Sequence, residues 1–427
     1  MTDGAGGGLP AVLDGFDLTD HALFARAERG FPYEVFARLR AEAPVLFHPP
    51  GHTDDGEGFW VLSRHADIAA AAADSRTFSA RGGGNRTGGG SHLDDMPIGG
   101  LAGVIVAMVD SPRHELMARL LGGGLTERVA RAVEPELRAL AGDLIDKAVA
   151  RGECDFATDI CEPYAFLGIA LLLGIPVEDR AEVASWAHAS TGFIERRSGL
   201  PDTTSRRTMQ ATQDYVRKLI VRKRADPGED LASILANGEL ADDPGEEPLS
   251  EHEREMNLLL LLLTGGEQPR NTIAAGVLGL AGHPGQWHDL RTDRTLLPTA
   301  REEMLRWAPP NPYNRRTATC DVRIGDAEIR AGDKVTLWWP SGNADADVFE
   351  DPMAFDVRRT PNPHLTFGHG HHYCLGNLVA RLQFDWLMEE LLERVGEIRP
   401  AGPVGYQPSN KHTIVLDMPV RLEPAPR

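Results

Sequence analysis

Residues 364–376 read His-Leu-Thr-Phe-Gly-His-Gly-His-His-Tyr-Cys-Leu-Gly, and this stretch constrains the fold more than any other. It sets one cysteine, Cys374, in a loop punctuated by Gly368, Gly370 and Gly376. The loop runs directly into a helical pattern beginning Asn377-Leu378-Val379-Ala380-Arg381-Leu382. Glycines let a backbone turn sharply and approach something flat and bulky. A thiolate just ahead of a helix N-terminus is favoured by the helix dipole and by free backbone N–H donors. Such a sulfur is suited to bind a metal.

A lone cysteine is ordinarily a small buried hydrophobe. Here Phe367, Gly368, Gly370, His372, Cys374 and Gly376 occupy six fixed positions within residues 367–376. The pattern resembles the haem-binding signature of the cytochrome P450 family and matches it at all six. The resemblance implies that Cys374 is the proximal metal ligand of haem b, with Phe367, Gly368 and Gly376 shaping the loop around it. Thiolate ligation pushes electron density onto iron and favours O–O cleavage.

The chain has 427 residues, 42% of them hydrophobic, which suffices for a large core. A net charge of −19 argues against a nucleic-acid partner. The four cysteines, Cys154, Cys161, Cys320 and Cys374, form no CxxC pair. A disulfide framework is not expected, and a reducing cytoplasm fits. The first residues lack the basic and apolar regions of a signal peptide. The run of leucines at 258–263 is far short of a membrane span. The expectation is a cytoplasmic protein, disordered over 1–10, with a single catalytic domain over 11–427.

Helical patterns cover 32–42 and 65–75, with a short strand at 59–62 between them. Residues 81–100 hold eight glycines and read as a mobile loop. Helical periodicity then dominates from 112 to 310, with loops at 198–207 and 225–230. The longest helical candidate is 250–282, opened by a capping box of Ser250 and Glu253. Residues 321–338 and the last thirty read as short strands. The class is mainly α with small β-sheets. The resemblance extends over roughly 30–420 and implies the cytochrome P450 fold, with haem between a long distal helix and the cysteine-loop helix.

Two further motifs gain meaning from that resemblance. Glu303 and Arg306 are i and i+3 on one helix face. They match the family's Glu-x-x-Arg pair, which would lock to Arg358 or Arg359 and hold the cysteine loop against the core. Thr264-Gly265-Gly266-Glu267-Gln268-Pro269 matches the family's oxygen-groove pattern, but Gln268 stands where a threonine is usual. Pro269 has no N–H, so the carbonyl of Gly265 loses its helical partner. That carbonyl is expected to face a water or dioxygen pocket. Gln268 and Glu267 are the candidate proton-delivery groups; an amide orients water but relays protons less readily than a hydroxyl.

Haem propionates need cations or N–H donors. By resemblance these are His372, Arg316 and His114. The family's further arginine falls on Ala118 here, and Arg119 comes next. The implied function is a haem-thiolate monooxygenase or oxidase acting on a small organic molecule, by hydroxylation or oxidative coupling in natural-product biosynthesis. No attached reductase region is expected; the resemblance to the family's bacterial members implies that a ferredoxin and ferredoxin reductase supply electrons, and Arg119, Arg128 and Arg131 are candidate docking residues. The substrate pocket would draw on 82–105, 186–200, 261–268, 309–314 and 409–413. Trp338 and Trp339 read as core residues that could also approach the haem. Two rivals remain: a non-catalytic haem-binding sensor, and a zinc hydrolase using His364, His369, His371, His372 and Cys374.

Overall fold

The longest element is the helix Glu251–Ala281, opened by a full capping box between Ser250 and Glu253. Its apolar face buries Leu258, Leu259, Leu262, Ile273, Ala274, Val277 and Leu280 in the main helical core. Three glycines along it mark close approaches to other elements. A Cβ at Gly265 would lie 2.6 Å from Ile169 Cδ1, one at Gly276 would lie 2.9 Å from Met304 Cβ, and one at Gly279 would lie 2.8 Å from Phe355 Cε2. Each glycine disfavours the helix by about 1 kcal/mol against alanine. The tight packing that they permit offsets that cost.

The computed structural model describes residues 8–83, 86–190, 203–240 and 247–426. Helices Arg113–Gly122, Glu127–Arg151, Glu162–Leu172, Val177–Ser190, Thr203–Ala225, Leu231–Asn237, Pro284–Thr292, Leu297–Trp307 and Asn377–Arg394 surround the long helix, and shorter helices His21–Arg26, Tyr33–Glu42, His65–Ala73 and Trp339–Asn343 lie near the sheet's connections. The long helix packs mainly against Glu162–Leu172, and Asn377–Arg394 packs against Glu127–Arg151. Tyr164 donates its hydroxyl proton to the Gln383 carbonyl at 2.7 Å, tying Glu162–Leu172 to Asn377–Arg394.

A five-stranded sheet stands beside the helices in the order Val45–His48, Phe59–Leu62, Lys334–Trp338, Tyr313–Ala318, Phe78–Ser79. Its one parallel pair joins Lys334–Trp338 to Phe59–Leu62. Trp338 is fully buried among Phe24, Phe31, Phe36 and Tyr313, so its role is core packing.

Several local expectations change. Residues 203–207, read as loop, already belong to the helix Thr203–Ala225; positions 198–202 lie outside the described residues. A strand inside the helical stretch, Glu153–Asp155, was not legible: it pairs with Pro419–Pro424, whose other neighbour is Val395–Pro400. The glycine-rich stretch at 81–100 folds back as a two-stranded ribbon, Gly88–Gly89 against Met96–Pro97. Gly89 serves close approach, since a Cβ there would overlap the Arg81 carbonyl.

The charged anchor lies on Leu297–Trp307. Glu303 is fully buried and takes two hydrogen bonds from Arg306, both at 2.7 Å. It also accepts from Arg359 Nε at 3.1 Å, the Asp356 N–H at 3.0 Å and Asn362 Nδ2 at 3.2 Å. Arg306 donates onward to the carbonyls of Asn343, Pro352 and Ala354. The sequence left Arg358 and Arg359 as equals. Arg359 is the partner, while Arg358 turns outward to Asp289.

Removing one member of a buried, hydrogen-bonded ion network leaves uncompensated charge and costs about 3–5 kcal/mol. Glu303→Ala should show a loss of that size in urea unfolding. Arg358→Ala, on an exposed pair, should cost less than about 1 kcal/mol. Equal losses in the two variants would contradict the assignment of the anchor to Arg359.

Candidate active site

The loop at 364–376 is shaped by backbone bonds before any side chain acts. The Cys374 N–H donates to the Phe367 carbonyl at 2.8 Å, and the Gly368 N–H donates to the Leu365 carbonyl at 2.9 Å. Asn377 Nδ2 donates to the Cys374 carbonyl at 2.7 Å, joining the loop to the start of Asn377–Arg394. Gly368 and Gly370 have φ of +78° and +70°, a region that suits glycine. At Gly370 space decides as well: a Cβ there would lie 2.6 Å from Ala73 Cα, at the end of the helix His65–Ala73. Gly376 differs from the expectation. Its φ is an ordinary −80°, and its missing side chain would stand 3.9 Å from Cys374 Sγ. It sits beside the sulfur without turning the chain, and a side-chain Cβ there would make only an ordinary contact with it.

A second brace was missed by sequence reasoning. Arg381 makes two bonds of 2.9 Å to Glu302 and lies 4.5 Å over the Phe367 ring. Glu302 also takes Arg301 at 2.8 Å and His364 at 3.1 Å. Although burial works against its charge, these hydrogen bonds hold the Glu302 carboxyl well below the usual range. A helix register of i and i+4 from Asn377 to Arg381 was the only available signal, and it did not name Glu302.

Cys374 lies on the wall of a cavity of about 1100 Å³, and its accessible face opens into that cavity. Protein surrounds the sulfur otherwise, and this burial pushes the thiol pKa up against the Gly376 N–H and Arg381, which lower it. The expected helix-end stabilisation of a thiolate is thus present but outweighed by desolvation. The same cavity is lined by Phe367, Gly368, Gly376, Gly265, Glu267 and Gln268. The long helix and the cysteine loop therefore face one space. Gly265 owes its identity to Ile169, which packs against it.

His372, His114 and Arg316 come together on the cavity wall. The rings of His114 and His372 are 4.2 Å apart between centroids. Nδ1 of each is buried without a hydrogen-bond partner. Arg316 is buried, and its NH1 donates to the Arg315 carbonyl at 3.0 Å. Burial pushes His372 down to about 2 and Arg316 down to about 10, with Arg316 and His114 adding to the effect on His372. Three donors with so little compensating charge are a poor arrangement for an empty site. They fit the two carboxylates of haem b, and the sulfur on the cavity wall fits its iron.

The remaining candidates divide. Arg119 is exposed and forms no ion pair among the described residues. Arg128 pairs with Glu229 at 2.6 Å, and Arg131 pairs with Glu127 at 2.8 Å, so neither offers a free cation. The loop histidines diverge: His364 turns to Glu302, His371 to Glu115 and His372 to His114. No cluster of three metal-ligating side chains occurs among the described residues, and the zinc arrangement finds no geometric support. Among the described residues no helix is long and apolar enough to cross a membrane. The expected pocket segments 82–105, 261–268, 309–314 and 409–413 all reach the cavity, through residues such as Ser91, His92, Leu263, Asn311, Lys411 and His412; most of 186–200 lies outside the described residues.

Gly370 generates a direct test. Gly370→Ala forces a Cβ into the backbone of Ala72 and Ala73 and strains a positive φ. It should displace the loop and lower haem retention at least severalfold in the purified protein, read as the haem-to-protein absorbance ratio. Full retention would show that the loop does not depend on this contact.

Comparison with known proteins agrees with this geometry. The family model for cytochrome P450 matches residues 200–396. Cytochrome P450 126 of Mycobacterium tuberculosis is 42% identical over 414 residues, covering 96% of this chain and 98% of that one. Linalool 8-monooxygenase of Pseudomonas putida is 34% identical, covering 85% of this chain and 89% of its own. The crystal structure of the P450 OxyD, involved in the biosynthesis of vancomycin-type antibiotics, superimposes with a TM-score of 0.83 at 27% identity, covering 96% and 99%. Likeness at this level along nearly the whole chain, over a loop that leaves one sulfur facing a cavity, has a single reading: the chain belongs to the cytochrome P450 family and is a haem b-binding monooxygenase.

Proposed function

We propose that this monooxygenase oxidises a medium-sized, partly polar organic molecule of the natural-product kind, by hydroxylation or oxidative coupling. The observation that carries the reading is one cavity of about 1100 Å³ with Cys374 on one wall and Gly265, Glu267 and Gln268 on another. A volume of that size suits a cofactor together with a substrate. The lining mixes apolar side chains such as Leu263, Ile273 and Leu305 with Asn311, Asn314 and Gln268, which suits a partly polar ligand better than a plain hydrocarbon. OxyD serves antibiotic biosynthesis, and the Pseudomonas relative acts on linalool. Both are consistent with a substrate of this class.

In this reading Cys374 holds the iron, with Phe367, Gly368 and Gly376 around it, and His114, His372 and Arg316 hold the propionates. The bound haem supplies the activation of dioxygen. The protein's own task on the opposite wall is to place water and protons. Gln268 has a buried Oε1 without a hydrogen-bond partner, and its Nε2 lies 3.5 Å from His412 Nδ1. That amide can fix a water by accepting one hydrogen bond and donating another. The Glu267 carboxyl beside it would exchange the proton. Pro269 leaves the Gly265 carbonyl without its helical N–H, giving the water a second acceptor. Glu303 and Arg306 act at a distance, by fixing the loop. Electrons would come from a ferredoxin and its reductase docking near Arg119, and residues 11–427 would form one catalytic domain.

Cys374→Ser should abolish the reduced, carbon monoxide-bound absorption band diagnostic of thiolate ligation. Retention of that band would end the assignment. Gln268→Ala should lower coupling of reductant use to product severalfold and raise peroxide release. Unchanged coupling would remove Gln268 from proton delivery. A normal haem spectrum with no turnover of a natural-product panel, given competent redox partners, would favour a ligand sensor instead.

A further inference from the structure

The cavity has a charge character opposite to that of the protein. The chain carries a net charge of −19. Yet the described cavity lining holds one carboxylate, Glu267, against two cationic side chains, Arg316 and Lys411, with six histidines as hydrogen-bonding groups beside them. Arg316, His114 and His372 are accounted for by the propionates. Lys411, His92 and His412 are not; Lys411 and His92 take no part in the oxygen-side machinery, and His412 borders it at Gln268.

Lys411 is the most informative of these. It is buried, and its Nζ lies 2.6 Å from the Tyr313 carbonyl, 3.1 Å from the Ser91 carbonyl and 3.0 Å from Asn314 Oδ1. Three acceptor oxygens call for three N–H groups, which the ammonium has and the neutral amine lacks. The geometry therefore fits a charged lysine, although burial and Arg316 both oppose that charge. No carboxylate pairs with it among the described residues. Beside it, His92 has a buried Nδ1 without a hydrogen-bond partner, and burial together with Lys411, His412 and Arg315 disfavours its protonation. His412 Nδ1 meets the Gln268 amide. Buried positive charge without an anion is costly, and an anion arriving with the ligand would relieve it.

We propose that Lys411, His92 and His412 form a carboxylate-recognition site, so that this enzyme selects organic acids and uses the acid group to hold the substrate in the cavity. Lys411 supplies charge from behind, its three protons already committed, and His92 supplies the contact. This rests on the haem-thiolate reading above and names the substrate class within it. The competing occupant is a haem propionate, for which His114, His372 and Arg316 already provide donors.

The test uses the haem-loaded protein and ω-(imidazol-1-yl)alkanoic acids of increasing length, each paired with the alcohol of the same length. The imidazole ligates iron and reports binding by its spectral shift, independent of turnover. The reduced carbon monoxide spectrum of the same preparation checks haem-thiolate ligation separately. The acid should bind more tightly than its alcohol by about tenfold or more at one chain length, the scale of a charge-assisted hydrogen bond. Lys411→Met should erase that preference while leaving the alcohol's affinity within about twofold, given that neutral tails gain nothing from the charge. Because Lys411→Met strips three buried oxygens of their donor, His92→Phe provides the same comparison with less risk to folding. Equal affinity of acid and alcohol at every length would overturn the proposal. So would a preference of the same size at all lengths, since a fixed anchor has one reach.

Discussion

The structure depends on a buried carboxylate. Glu303 has no contact with solvent, and it is surrounded by Arg306, Arg359, Asn362 and the Asp356 N–H. Such a network contributes little net stability compared with apolar packing, but it fixes geometry strongly because any missing partner leaves bare charge. Arg306 and Arg359 reach the carbonyls of residues 343–354, and Asn362 lies just before the cysteine loop. The loop inherits its position from that charge, with Arg381 and Glu302 adding a second tie from the helix behind it.

The opposite wall is built by a different rule. There the long helix is brought close to Glu162–Leu172 through Gly265, and Arg270 locks it by bonding Glu162 at 3.2 Å and the Val415 carbonyl at 2.7 Å. Asn257 fixes the segment at 104–106 from the same helix, donating to the Val104 carbonyl at 3.1 Å and accepting from the Val106 N–H at 2.8 Å. Buried polar groups thus hold both sides of the cavity. Between them the walls stay largely apolar, which keeps water sparse and makes each polar group on the surface of the cavity count.

An acidic exterior around a cation-bearing cavity separates two tasks. Net negative charge favours solubility and a single dispersed molecule. The local field at the site comes instead from Lys411 and Arg316, both buried and so shielded from bulk solvent. Lys411 belongs to the C-terminal segment, and its partners Ser91 and Tyr313 to the glycine-rich region and the main sheet. Three stretches remote in sequence must therefore meet before that field exists.

Local signals carried much of the fold. The thiol loop, the Glu303–Arg306 spacing and the Ser250–Glu253 cap are each written within a few residues, so their physics is complete in one helical turn or one tight loop. What the chain alone could not decide was partnership across distance. Arg359 over Arg358, Glu302 with Arg381, Glu153–Asp155 beside the C-terminal strand and the unpaired burial of Lys411 all follow from which surfaces are brought together. Sequence determined that one sulfur would be presented by a glycine-bent loop ahead of a helix. Tertiary packing decided what faces that sulfur and which charges are cut off from water, because desolvation is a property of the folded surroundings and not of the residue.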